Sequence, residues 1–181
     1  CVMPCAGADG FFVMREEMAG ELGIKGVSIG SAFECFKAFP DDPIQLRSGW
    51  STYGEDLLQE AGLTHQQIDL FESYDDYPVV VMLQLEGMGF CEPGQAAAFL
   101  QENSMKFDGK GLPHNTNGGQ LSVGQAGAAG GFLGIVEALR QLLGEAGANQ
   151  VDSARHALVT GFGMVNYDRG ICSAAAILKR C

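Results

Sequence analysis

Between His114 and Gly131 the chain reads HNTNGGQLSVGQAGAAGG, six glycines in eighteen residues, and runs directly into the helical pattern FLGIVEALRQLLGE. A backbone stripped of side chains at a helix entrance serves one of two ends. It can aim free N–H groups and the positive end of the helix dipole at an anion or a developing oxyanion. Alternatively, its small residues simply let the helix lie against a sheet or a twin subunit. The spacing GQAGAAGG is neither G-x-x-x-x-G-K-[ST] nor a G-x-G-x-x-G followed by the usual acidic residue, which argues against a nucleotide-phosphate loop.

The rest of the chain alternates strand and helix signals. A short apolar strand is expected at Phe11–Met14, then a helix with Arg15, Glu16, Glu17 and Glu21 mostly on one side, then a second strand in KGVSIGSAFEC. FPDDPIQLRSGW reads as a loop. STYGEDLLQEA, residues Ser51–Ala61, is helical and stops at Gly62. Thr64 and Gln67 make a small capping box before the strand IDLFES. YDDYPVVVMLQLEGMGF is a helix in which Pro78 fits only the first turn. GQAAAFLQEN adds a short helix and FDGKGLPHNTNGG an irregular arm; a long helix from about Ala126 to Leu143 and two strands, ARHALVTGFG and GICSAAAILKR, complete the pattern. The expected architecture is a layered α/β/α arrangement around a mixed five-stranded sheet.

At 181 residues, 46% hydrophobic and 18% charged, this is one globular α/β domain. No apolar run approaches the ~18 residues of a membrane span. A net charge of -11, with 11 scattered Lys and Arg, argues against nucleic acid. The six cysteines contain no C-x-x-C pair and read as reduced thiols, with Cys1 and Cys5 at most a metal half-site, so no metal is expected. With no signal peptide visible, a cytoplasmic location is expected. The start, without methionine and running straight into a strand, reads as the C-terminal piece of a longer polypeptide.

NTNGGQLSVGQAGAAGG followed by EALRQL resembles the C-terminal half of the thiolase superfamily, in the sterol-carrier and lipid-transfer-protein branch, where the stretch typically reads N-x-x-G-G-x-x-x-x-G-H-P-x-G-A-T-G. AGLTHQQIDLFESYDDY, LEGMGFCEPGQ and ALVTGFGM match further motifs of that branch in order. The resemblance implies a thiolase-fold half over residues 1–181, with residues 1–45 including the end of the N-terminal half or the junction. It also implies that the N-terminal half, with the usual nucleophilic Cys, lies outside this chain.

The departures from the family pattern bear on chemistry. Gln125 stands where the His of G-H-P would be, and the place of the family's second Cys falls on Val159 or Thr160. Neither an amide nor these side chains exchange protons near neutral pH as imidazole does. Tyr74 and Asp75 stand where the branch writes His-Asp, with Asp76 and Tyr77 beside them, and Tyr167 and Asp168 follow the closing glycines. This combination resembles the thiolase-like aldolases of steroid side-chain degradation. The resemblance implies retro-aldol carbon–carbon cleavage of a β-hydroxyacyl-CoA, with coenzyme A as part of the substrate and no tightly bound cofactor. It also implies a homodimer and a DUF35-type OB-fold and zinc-ribbon partner. Tyr167, Tyr74, Asp75 and Asp168 are the expected catalytic residues; His114, Asn117, Gly118, Gly119, Gly124, Gln125, Gly161 and Gly163 are expected to bind substrate. For Asp75 and Asp76, an N-cap ahead of Pro78 is an equal alternative, and His114 could merely cap a turn. Two further readings stay open: acyl transfer of the acetyl-CoA acetyltransferase type using a Cys in the missing half, and a noncatalytic lipid-binding or scaffold subunit.

Overall fold

Successive strand residues point to opposite faces of a sheet, and here the apolar pairs Leu70-Phe71, Leu158-Val159 and Ile177-Leu178 divide between two cores. The computed structural model describes residues 2–166 and 169–181. Its elements in chain order are α1 (Glu16–Glu21), β1 (Val27–Phe36), α2 (Trp50–Ala61), β2 (Leu70–Glu72), α3 (Pro78–Gly87), α4 (Ala96–Glu102), α5 (Gly119–Val123), α6 (Leu133–Leu143), β3 (His156–Asn166) and β4 (Arg169–Arg180). Phe71, Leu158 and Ile177 pack on Trp50, Leu57 and Leu85 of α2 and α3. Leu70, Val159 and Leu178 pack on Ala138 and Leu142 of α6. The result is the expected helix–sheet–helix layering.

The sheet is mixed, in the order β1-β4-β3-β2. β1 and β3 flank β4 antiparallel, and β2 runs parallel to β3 with Leu70 opposite Ala157 and Glu72 opposite Val159. The parallel pair needs a crossover, which residues 73–155 supply by carrying α3 to α6 around the sheet.

Among the described residues there are four strands, not five. Phe11–Met14 forms no strand: Phe12 is 93% and Val13 72% exposed, and an apolar run with no neighbour to pair with has no ladder to join. The β2 edge is instead extended by one parallel bridge, Phe71 to His114, in which Phe71 N–H donates to Pro113 O at 2.8 Å and Asn115 N–H to Phe71 O at 3.1 Å. The long helix expected from Ala126 also divides. Gly127–Phe132 forms tighter 3₁₀ turns, and the α-helix starts at Leu133, because Gly127, Gly130 and Gly131 are poor helix formers.

Other local signals hold. Gly62 ends α2 in the left-handed region at φ 67°, Pro78 occupies the first turn of α3, and Thr64 N–H donates to Gln67 Oε1 at 2.9 Å. Among the described residues no helix is long and apolar enough to cross a membrane.

Candidate active site

β2 ends at Glu72, and the chain leaves it through Ser73, Tyr74 and Asp75, the first two held by side-chain amides. Asn115, buried and at φ 43°, accepts Ser73 N–H on Oδ1 at 2.8 Å and donates from Nδ2 to Ser73 O at 3.1 Å. On the other side Gln84 of α3, fully buried, accepts Tyr74 N–H at 3.2 Å and donates to Tyr74 O at 2.6 Å. Thr160 of β3 donates to the same Gln84 Oε1 at 2.7 Å. Two amides therefore clamp the Ser73-Tyr74 backbone from both sides and tie it to the sheet centre, as a residue that must present its side chain in one geometry requires.

Beside this segment lies a cavity of about 240 Å³ whose walls come from the β2 exit, the glycine-rich segment and the start of α6, and the β3–β4 ladder. Tyr74, Asp75, Asn117, Gly119, Gly161 and Gly163, all expected in the site, line it. Val159 and Thr160, where the second Cys of the family would fall, line it too. No histidine is among the described residues that line it. The cysteine in the wall is Cys172 of β4, donating to Glu34 Oε1 at 3.2 Å, and burial together with that carboxylate pushes its thiol up to about 11. A thiol held in that state is a poor nucleophile at neutral pH.

Tyr74 stands half-buried against Phe162, ring centroids 6.3 Å apart. Burial raises its pKa, Asp76 and Asp75 raise it further, and Gln125 acts in the opposite sense. The last influence comes from Gln125 Nε2, which donates to the Tyr74 hydroxyl oxygen at 3.4 Å. Gln125 itself is not among the residues that line the cavity.

Asp75 does a job that neither alternative foresaw. It is buried, and its Oδ1 accepts Gln120 N–H at 2.7 Å while Oδ2 accepts Leu121 N–H at 3.4 Å, so it caps α5 rather than α3, whose N-cap is Tyr77. The carboxylate thereby pins the glycine-rich segment against the β2 exit. Gly119 makes room for it: a Cβ there would lie 2.1 Å from Asp75 Oδ2.

Besides Gln125, three expected substrate-binding residues lie elsewhere. Gly124 is covered by the N-terminal segment, where a Cβ would meet Met3 O at 2.9 Å, and Cys5 N–H donates to Gln125 O at 3.1 Å. Gly118 turns the chain at φ 101° against Ser122 and lines only a second, neighbouring depression. His114 also belongs to that depression, with its Nε2 2.7 Å from Ser73 Oγ. Tyr167 and Asp168 lie outside the described residues. Arg169 donates to Pro40 O at 2.9 Å and Asp42 O at 3.0 Å, fastening the loop before α2 to the end of the β3–β4 ladder.

Burial pushes His114 down to about 4 from an ordinary 6.5. A histidine kept neutral in the folded state and protonated when unfolded adds stability that is fully present above pH about 6.5 and is lost as pH falls toward about 4. Urea unfolding should therefore show stability falling across that window by at most roughly 1.4 kcal/mol per pH unit, and His114→Gln should flatten the slope. An unchanged slope in the variant would remove His114 as its source.

Two site residues were missed from sequence. Gln120 lines the cavity, is buried, and its Oε1 has no hydrogen-bond partner among the described residues. Glu72 lines the cavity at 1% exposure. The legible signal for Glu72 was an acid directly after the apolar pair Leu70-Phe71 in the strand pattern IDLFES; Gln120 had none.

Fold and cavity together define a thiolase-type α/β layer whose pocket carries tyrosine, amide and carboxyl groups. The chain belongs to the thiolase C-terminal domain-like family, whose model matches residues 40–179. It is 38% identical over 107 residues to the 17-hydroxy-3-oxo-4-pregnene-20-carboxyl-CoA lyase of Mycobacterium tuberculosis, covering 59% of this chain and 26% of that protein. It is 27% identical over 172 residues to sterol carrier protein 2 of Rattus norvegicus, covering 91% of this chain and 31% of the relative. A solved Ltp2-ChsH2(DUF35) aldolase superposes with a TM-score of 0.71 at 28% identity, over 86% of this chain and 40% of that one. The chain thus spans about a quarter to a third of the length of these curated relatives.

Proposed function

We propose that this chain forms the C-terminal half of a carbon–carbon lyase that cleaves a β-hydroxyacyl-CoA by a retro-aldol step. The observation that carries the reading is the paired exchange at Gln125 and Tyr74: the neutral amide standing where the family has histidine donates to a tyrosine hydroxyl at the wall of a cavity with no histidine among the described residues that line it. Retro-aldol cleavage needs a group to take the β-hydroxyl proton and a polarised thioester carbonyl to receive the electron pair as an enolate. It needs no acyl-enzyme. Tyr74 is the cavity-wall group for the first task; burial raises its pKa and so disfavours the phenolate, and the hydrogen bond from Gln125 opposes that rise. The backbone at Gly161 and Gly163 lines the same space and is where an enolate oxygen would be held. The Oε1 of Gln120, without a partner among the described residues, is an acceptor suited to a hydroxyl-bearing substrate.

The names of the relatives support the same class: one is called a steroid side-chain-cleaving aldolase, and the solved structure pairs its aldolase with a DUF35 protein. A bulky, steroid-like acyl group, an N-terminal thiolase half and a DUF35-type partner are part of the proposal. The test offers the complete protein, with that partner, a β-hydroxyacyl-CoA in one reaction and a β-ketoacyl-CoA plus free CoA in another. Cleavage of the hydroxy substrate alone is expected. Turnover of the ketoacyl-CoA alone would return the protein to acyl transfer, a reading favoured by its 33% identity over 103 residues to an acetyl-CoA acetyltransferase of Methanothermobacter thermautotrophicus. Turnover of neither would support a noncatalytic role.

A further inference from the structure

Starting at the cavity wall with Glu72, at the end of β2, runs a buried cluster that the proposed step does not use, continued by Thr116 from the arm after His114 and by Glu137 and Gln141 of α6. Thr116 Oγ1 lies 3.0 Å from Glu72 Oε1, 2.7 Å from Glu137 Oε1 and 2.9 Å from Gln141 Nε2. The Gln141 amide has its orientation set by backbone groups, since Oε1 accepts Val151 N–H at 2.8 Å and Nε2 donates to Asn149 O at 2.9 Å. Gln141 therefore meets Thr116 as a donor.

A hydroxyl carries one hydrogen and two acceptor positions. Thr116 accepts from Gln141 and gives its one hydrogen to a single carboxylate. The other glutamate, also at hydrogen-bond distance, can meet that oxygen only by donating, which requires it to be a carboxylic acid. Glu137 is the ionised partner: it has the shorter contact, Gln141 Nε2 at 3.0 Å, and the guanidinium of Arg140 at 3.2 Å on Oε2. Among the described residues Glu72 has only the Thr116 N–H at 3.3 Å besides the hydroxyl. The charged groups around Glu72 agree. From α6 it is faced by Glu137 with Arg140 beyond it, from its own chain by Asp75, and β3 opposes it with the uncharged Val159.

We propose that Glu72 is a neutral carboxylic acid near neutral pH that donates its hydrogen to Thr116. As a positioning residue it keeps its own stretch of the cavity wall from adding a negative charge while negative charge develops on the enolate. The second part rests on the retro-aldol reading; the first does not. Burial acts in the same direction, pushing Glu72 up to about 8, with Glu137 and Asp75 adding to the rise and the Thr116 hydrogen bonds opposing it. Raising the pH past that value places a fixed negative charge beside the developing one, so cleavage should fall on the alkaline side.

The test is made on the complete protein with ¹³C-labelled glutamate carboxyls. Nuclear magnetic resonance should show one glutamate still protonated at neutral pH and titrating on the alkaline side, with its signal lost in Glu72→Gln. The pH profile of kcat should lose its alkaline limb in the same variant, and Glu72→Gln, which keeps a neutral donor, should retain more activity than Glu72→Ala. A carboxylate shift for Glu72 at neutral pH overturns the proposal, and so does an alkaline limb that survives in Glu72→Gln. If the protonated acid is seen but no β-hydroxyacyl-CoA is cleaved, the lyase reading fails while the protonation state stands.

Discussion

Replacing Tyr74 with Phe is expected to lower kcat for carbon–carbon cleavage by about 10²- to 10⁴-fold, the range that a positioned acid–base group contributes. The fold should survive, because the Tyr74 backbone is clamped by Gln84 and its neighbour Ser73 by Asn115, and neither clamp uses the hydroxyl. KM should change far less than kcat, since the lost interaction acts on the proton being moved rather than on the bound acyl-CoA. Steady-state kinetics beside far-ultraviolet circular dichroism would separate the two effects. Full activity in a well-folded variant would take the proton-accepting role away from Tyr74.

Gly119→Ala should be the most damaging single-methyl change near the cavity. A Cβ there would stand 2.1 Å from Asp75 Oδ2 and 2.7 Å from Asn115 Nδ2, on a backbone at φ 62°. The left-handed backbone costs a side-chain-bearing residue roughly 1–2 kcal/mol. Displacing the carboxylate frees the buried N–H groups of Gln120 and Leu121, adding about 1–3 kcal/mol. A total near 3 kcal/mol or more is expected in urea unfolding. Gly62→Ala is the matched comparison: its φ is 67°, but a Cβ there meets nothing within 4 Å, so only the backbone cost applies. Equal losses at the two positions would show that Asp75 contributes nothing through its cap on α5.

Short-range signals were the legible part. The Thr64 box, the Gly62 stop and Pro78 in the first turn of α3 are contacts within a few residues, and each formed as the sequence implied. Tyr74, Gly161 and Gly163 reach the cavity because their motifs sit at the ends of β2 and along β3, and a strand delivers its residues in a fixed direction. Phe11–Met14 misled because an apolar run makes a strand only where another strand is present to pair with it. The helix start misled because its hydrophobic period extends back through glycines too flexible to carry an α-helix.

Asp75 shows the limit most clearly. Its sequence neighbourhood pointed to a cap for the helix that follows, but the groups it caps lie forty-five residues further along the chain. Sequence by itself determined the strand–helix alternation, the family pattern and the exchange of histidine for Gln125, because these are properties of residue type and local spacing. Only the tertiary structure decided that Gln125 reaches Tyr74, that His114 turns toward Ser73, and that Glu72 and Glu137 share one hydroxyl. Those facts depend on which distant backbones the sheet brings within hydrogen-bond reach, and hydrogen bonds are decided over tenths of an ångström.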